Sequence, residues 1–235
     1  MNNTTVQLKV RQRLNKLASN DFDNIECWQI IEAFNKAQLE WARRQIRGSN
    51  LFQDGDEQST RRIDDLQKLL IEISPPLQNK QDFYETLNEL PEDFLEYKRI
   101  DAYASKDCCD GLRKMIVYLV EEDNLTALLR DDLKKPSYKW GETFSTLINN
   151  KARVHTNGDF EVDEIKFIYY RKPILIQIAG CKSPYSGTEP VTDVDSEFKD
   201  DIVELIIDET VAIIGGDIES GNQFSRGSEA AERSN

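Results

Sequence analysis

The chain has 235 residues, 39% of them apolar and 31% charged, enough for a packed core beneath a heavily charged surface. With 30 Lys and Arg against 43 Asp and Glu, its net charge of −13 argues against the cationic attraction that drives nucleic-acid binding. No apolar run reaches the length of a membrane span, and the opening MNNTTVQLKVRQRLNK lacks the apolar stretch of a secretory leader, so synthesis in a reducing cytoplasm is expected.

Residues 5–18 predict a short amphipathic helix, with Val6, Leu8, Val10, Leu14 and Leu17 beside the cations Lys9, Arg11, Arg13 and Lys16. Asp23 with Glu26 has the spacing of a capping box. Behind it, Cys27, Ile30, Ile31, Phe34, Ala37 and Trp41 recur at helical spacing up to Gly48. A second helix is predicted over 58–73 from Ile63, Leu66, Leu70 and Ile73, stopped by Ser74-Pro75-Pro76. Two helices joined by a short polar loop predict an antiparallel pair.

The middle of the chain changes period. Residues 94–103 and 114–120 read as strands, with a short helix at 123–130. Residues 151–156 and 164–171 flank the turn signal Asn157-Gly158-Asp159 and read as a hairpin. Pro173 ends the second of these strands, and 180–193 is loop by composition. Over 197–214, two apolar faces, one with Ile202 and Ile206 and one with Val203, Ile207, Val211 and Ile214, predict a helix buried on both sides.

This order predicts an α+β fold: an antiparallel helical bundle with an inserted β-rich subdomain and an extended C-terminal arm. The divisions are an N-terminal amphipathic segment (1–20), a helical hairpin (21–76), a β-rich insertion (77–193), a closing helix (194–216) and the arm (217–235).

No residue pattern points to catalysis. His155 is the one histidine and has no Ser or Cys partner in evidence. The carboxylate groups Asp64-Asp65, Glu121-Glu122-Asp123, Asp131-Asp132 and Asp200-Asp201 consist of adjacent residues. Neighbours in a helix diverge by about 100°, a poor metal clamp. Cys27, Cys108, Cys109 and Cys181 lack zinc or redox spacing and read as buried or idle thiols. Gly215-Gly216 reads as the end or a bend of the last helix, and Phe167-Ile168-Tyr169-Tyr170 as sheet core. No cofactor and no metal is expected. The arm has too little apolar surface to order alone, yet Phe224, Arg226 and Arg233 are residue types that carry interface energy. They are the candidate partner-binding residues.

Four stretches together resemble a known family: NIECWQIIEAFNKAQLEWARR with Asn-Lys-Ala-Gln at 35–38, LNELPEDFLEYKRIDAY, EIKFIYYRKPILI, and DIVELIIDETVAIIGGDIES before the polar arm. Their order resembles the head-to-tail adaptor (connector ring) proteins of short-tailed bacteriophages, including crAss-like phages. The resemblance implies a structural virion protein in the neck, made in the host cytoplasm. It implies a dodecameric ring docked beneath the portal protein through the C-terminal arm. Such a ring extends the channel through which double-stranded DNA passes without specific binding, and it carries downstream tail proteins. The rival readings are a cytoplasmic scaffold or interaction domain and a carboxylate-dependent metal nuclease.

Overall fold

The computed structural model describes residues 1–14, 25–47, 64–107, 109–182, 184, 187 and 189–217. These fall into two compact units, one comprising residues 1–68 with 173–235 and the other residues 69–172.

In the first unit, α1 (Asn3–Leu14), α2 (Cys27–Arg47) and α4 (Asp200–Asp217) pack on one another. Helix α1 buries Val6, Val10 and Leu14, one residue per turn. Two of its cations face α4: Lys9 and Arg13 pair with Glu204, and Arg13 also reaches Asp208 at 2.5 Å, whereas Arg11 donates to Ile25 O at 3.3 Å. These cations of the basic stripe are thus used inside the first unit, and Lys16 lies outside the described residues. Helix α2 starts at Cys27, where the Gln29 side chain accepts a hydrogen bond from the Glu26 backbone N–H at 3.0 Å. The reciprocal half of a capping box therefore lies at Glu26 and Gln29. Asp23 and Gly48 lie outside the described residues.

Helix α4 buries Ile202, Val203, Ile206, Ile207, Val211 and Ile214, so both of its apolar faces are covered. It runs through Gly215 and Gly216 to Asp217, past the end expected for it. Trp41 of α2 meets Phe198 edge-on, with ring centroids 5.0 Å apart.

The second unit is built on one mixed sheet of eight strands: β1 (Leu70–Ile73), β2 (Leu77–Asn79), β3 (Phe83–Thr86), β4 (Phe94–Lys106), β5 (Cys109–Leu119), β6 (Glu142–Ile148), β7 (Lys151–His155) and β8 (Glu161–Arg171). Their spatial order is β1-β8-β4-β5-β6-β7-β3-β2, antiparallel throughout except for β5 beside β6. That parallel pair is joined by a crossover containing α3 (Glu122–Arg130), as parallel neighbours require. The core is closed by Ile100, Ala102, Met115, Val154, Ile165, Phe167 and Tyr169.

The expected helical bundle with an inserted β-rich subdomain is therefore corrected. The architecture is a half-barrel of eight strands in a mixed sheet, with few helices. Two local readings fail for identifiable reasons. Residues 70–73, expected at the end of a helix, form β1 and pair with Tyr170–Phe167 of β8; residues 58–63 lie outside the described region. Strands β7 and β8 are not a hairpin. Both edges of β7 are taken, by β3 and by β6, and β8 pairs with β4 and β1. The Asn157-Gly158 turn has the positive φ its sequence favours, but its N–H groups at Thr156 and Asn157 bond to Asp82 O. The tight hairpin lies one turn earlier, at Asn149-Asn150, with φ of 51° and 57° and Ile148 opposite Lys151.

Candidate interaction surface

Among the described residues of the first unit, three amide side chains hold an arch, the described part of 173–199, against α1 and α2. Pro173 stops the preceding strand, and the run Ile174–Ile178 has no strand partner that could satisfy all its main-chain groups. Side chains supply the bonds. Asn35 Oδ1 accepts the Ile176 N–H at 2.8 Å and Asn35 Nδ2 donates to Ile176 O at 3.3 Å. Gln38, one turn along α2, donates from Nε2 to Ile174 O and to Asn35 Oδ1, each at 3.0 Å. One face of α2 thus pairs with the arch as a neighbouring strand would.

The second limb is tied by Asn3 of α1, whose Nδ2 donates to Gln177 O and Val194 O, both at 2.9 Å. Gln177 and Val194 exchange backbone bonds at 3.1 and 2.9 Å, closing the arch on itself. Ile176 faces inward and is buried, whereas Ile174, Leu175 and Val191 are exposed. The clamp therefore fixes the main chain and leaves apolar side chains outward. Replacing Asn35 by Ala strands an N–H, a C=O and the Gln38 amide. The expected loss is about 2–3 kcal/mol, measurable as a lower urea midpoint at unchanged slope; a loss under about 0.5 kcal/mol would show the clamp to be peripheral.

The arch also carries a disulfide. Cys181, buried in the arch, is bonded to Cys27 at the first residue of α2, with Cα atoms 6.0 Å apart. The reading of Cys27 and Cys181 as buried or idle thiols is thereby corrected: Cys181 is buried, but the pair is a disulfide. Its cause is plain: 154 residues separate them, so no local spacing reveals the pair.

In the second unit a separate apolar surface lies on β5. Leu112, Ile116, Tyr118 and Leu119 are exposed, and Trp140, in the turn leading into β6, is 72% exposed. Among the residues of β5 whose burial is described, 111–119, only Met115 is buried. Single exposed apolar residues are ordinary, but Leu112, Ile116 and Tyr118 fall on one face of the strand, opposite buried Met115, a grouping that fits a partner.

The candidate catalytic groups take structural roles. His155 is buried, with its Nε2 3.1 Å from Thr146 Oγ1 and its ring 5.8 Å from that of Phe83. Burial, reinforced by the charge of Arg153, lowers its pKa to about 4, so it stays neutral in the sheet. Asp64 and Asp65 both pair with Lys199. Asp131 and Asp132 pair with Lys134 and Lys135 at 3.8 and 2.6 Å. Glu122 and Asp123 sit in the first turn of α3, where the helix dipole favours acids. Among the described residues no three Asp, Glu, His or Cys side chains converge on a metal-sized site. No helix among them is long and apolar enough to cross a membrane. Phe224, Arg226 and Arg233 lie outside the described residues.

No family model matches the chain, and no curated protein matches it in sequence.

Proposed function

We propose that this protein is a structural virion component, a head-to-tail adaptor that assembles as a ring beneath the portal and carries the tail. The observation that supports this best is where the family-like stretches meet. Asn35 and Gln38 of the Asn-Lys-Ala-Gln run hold the main chain of Ile174 and Ile176, which belong to the Lys-Pro-Ile-Leu-Ile run. Two stretches 141 residues apart in sequence thus form one interlocking device. The exposed β5 and Trp140 surface supplies a docking face of the kind an assembling subunit needs. The net charge of −13 suits a wall past which DNA moves without sticking.

In this reading the arm, residues 217–235, docks into the portal through Phe224, Arg226 and Arg233. Each docking is weak because the arm loses freedom on binding, and a ring of copies makes the sum durable. The test is to mix the purified chain with isolated cognate portal and weigh the complex. About a dozen copies per portal is the expected result, and a chain lacking 217–235 should fold normally but fail to bind. Binding that survives the truncation would remove the arm from the mechanism, and no association of the full chain would overturn the adaptor reading.

A further inference from the structure

We propose that Asn157 is a self-modification site: in water its side-chain amide is displaced by the backbone nitrogen of Gly158, leaving aspartate or isoaspartate in the turn between β7 and β8. The inference stands on the second unit alone and does not depend on the adaptor reading.

Of the asparagines in the chain, Asn157 is the one followed by glycine. Residues 156–159 form a tight turn, closed by the Asp159 N–H on Thr156 O at 3.0 Å, with φ of 50° at Asn157 and 69° at Gly158. The ends of this turn are fixed. The Thr156 and Asn157 N–H groups bond to Asp82 O at 2.9 and 3.2 Å, and Asp159 accepts the Tyr138 N–H at 2.8 Å and pairs with Lys106. Its middle is open. Asn157 and Gly158 are exposed, and neither the Asn157 amide nor the Gly158 N–H has a hydrogen-bond partner among the described residues. A Cβ added at Gly158 would meet nothing within 4 Å. The nucleophilic nitrogen and the electrophilic amide carbon thus share one exposed dipeptide, with no hydrogen bond to break and no side chain at residue 158 to block the approach.

The Gly158 N–H gives its proton to solvent base, and the nitrogen attacks Asn157 Cγ. The Cγ–Nδ2 bond breaks and ammonia leaves, closing a succinimide ring. Water then opens the ring at one of its two carbonyl carbons. Cleavage of the new N–Cγ bond restores the ordinary main chain with aspartate at 157. Cleavage of the original peptide bond leaves the chain running through Cγ as isoaspartate. One water is consumed and one ammonia released, with no electrons transferred. Either product adds a negative charge to a chain already at −13, two residues from Asp159. Isoaspartate also inserts a further carbon between the anchors at Asp82 and Tyr138. Asn149 is the internal control: it is exposed with φ of 51°, but the residue after it, Asn150, carries a side chain.

The folded full-length chain is held in mildly alkaline buffer made with heavy-oxygen water, then digested with trypsin in ordinary water. Only conversion in the intact chain then carries the label. Peptide 154–166 contains Asn157 as its one Asn and has no Gln, and peptide 140–151 reports on Asn149. Peptide 154–166 should give two labelled products, the aspartyl and isoaspartyl forms, separable by chromatography. They should form at least about tenfold faster than label enters peptide 140–151, a barrier difference of about 1.4 kcal/mol. Asn157→Asp should supply a peptide that co-elutes with the first product. Asn157→Gln, whose longer side chain needs a larger ring, should leave the peptide unlabelled. The site is overturned if peptide 154–166 stays unlabelled or is labelled no faster than peptide 140–151. It is equally overturned if ordinary aspartate is the sole product, since water would then have attacked the side chain directly.

Discussion

Reducing the Cys27–Cys181 bond is expected to lower the unfolding free energy of the first unit by about 4 kcal/mol. The sequence separation of 154 residues taken at face value gives about 5 kcal/mol from loop-closure entropy. That figure treats the whole intervening chain as free. The second unit has its own core, and its two ends leave on paired strands, with Leu70 opposite Tyr170. When only the first unit unfolds, the span 69–172 acts as a short bridge, because paired residues in an antiparallel ladder sit about 5 Å apart. The effective loop is then residues 27–68 with 173–181, about fifty residues, and the logarithm falls accordingly. Urea unfolding of oxidised and reduced protein, followed by Trp41 fluorescence, checks the figure. A difference under about 1 kcal/mol would mean the reduced unit retains order that the bond merely decorates. A difference well above about 5 kcal/mol would mean that native packing also fails on reduction.

Much of the helical part was legible because burial on one or two faces imposes a period. Val6, Val10 and Leu14 repeat every fourth residue, and α4 shows two apolar stripes, so tertiary contact and local pattern agree. Strands β4, β5 and β8 were visible through their aromatic and β-branched runs, with burial alternating clearly only in the second half of β4. What failed was partner choice. Leu66, Leu70 and Ile73 are spaced as in a helix, yet Leu70–Ile73 is too short to hold helical shape against a ladder with Phe167–Tyr170. Asn157-Gly158 encodes a reversal but cannot say which strands flank it in the sheet. Asn149-Asn150 encoded the tight hairpin, and its left-handed preference was the signal to use. The site was half legible. Asn35 and Gln38 stood out as a motif, but their role depends on Ile174 and Ile176, far along the chain. The overall class was misjudged because β2, β3 and β6 carry polar residues that read as loop: Gln78, Glu85 and Thr146 all sit in strands.

The two units are expected to respond to acid in opposite directions. In the first, Glu209 of α4 is buried against α2, where Arg44 pairs with it and Glu40 hydrogen-bonds to it. Burial, opposed by the Arg44 charge and aided by Glu40, raises its pKa to about 7. Asp208, half-buried beside Arg13, is shifted upward too, again by burial. Between the ordinary glutamate value near 4.5 and about 7, the folded state keeps a proton that the unfolded chain has released. This contribution is complete below about 4.5 and is lost as the pH rises through about 7, roughly 2–3 kcal/mol in all. In the second unit His155 runs the other way. Its folded pKa of about 4 lies below the ordinary 6.5, so the unfolded chain binds the extra proton. Stability there is complete above about 6.5 and is lost as the pH falls through about 4, again by roughly 2–3 kcal/mol. Glu85, held low by its hydrogen bond to Arg153, adds to the acid loss. Neutralising the net charge of −13 on acidification acts on both units, so the difference between them carries the test. Hydrogen exchange corrected for intrinsic rates should show Ile206–Val211 better protected at pH 5 than at pH 7.5, and Thr146–His155 less so. Glu209→Gln should flatten the first trend and His155→Gln the second, each leaving the other intact. A common slope in both segments would remove the opposed proton linkage, and an unchanged slope in Glu209→Gln would shift the first trend to another carboxylate, Asp208 foremost.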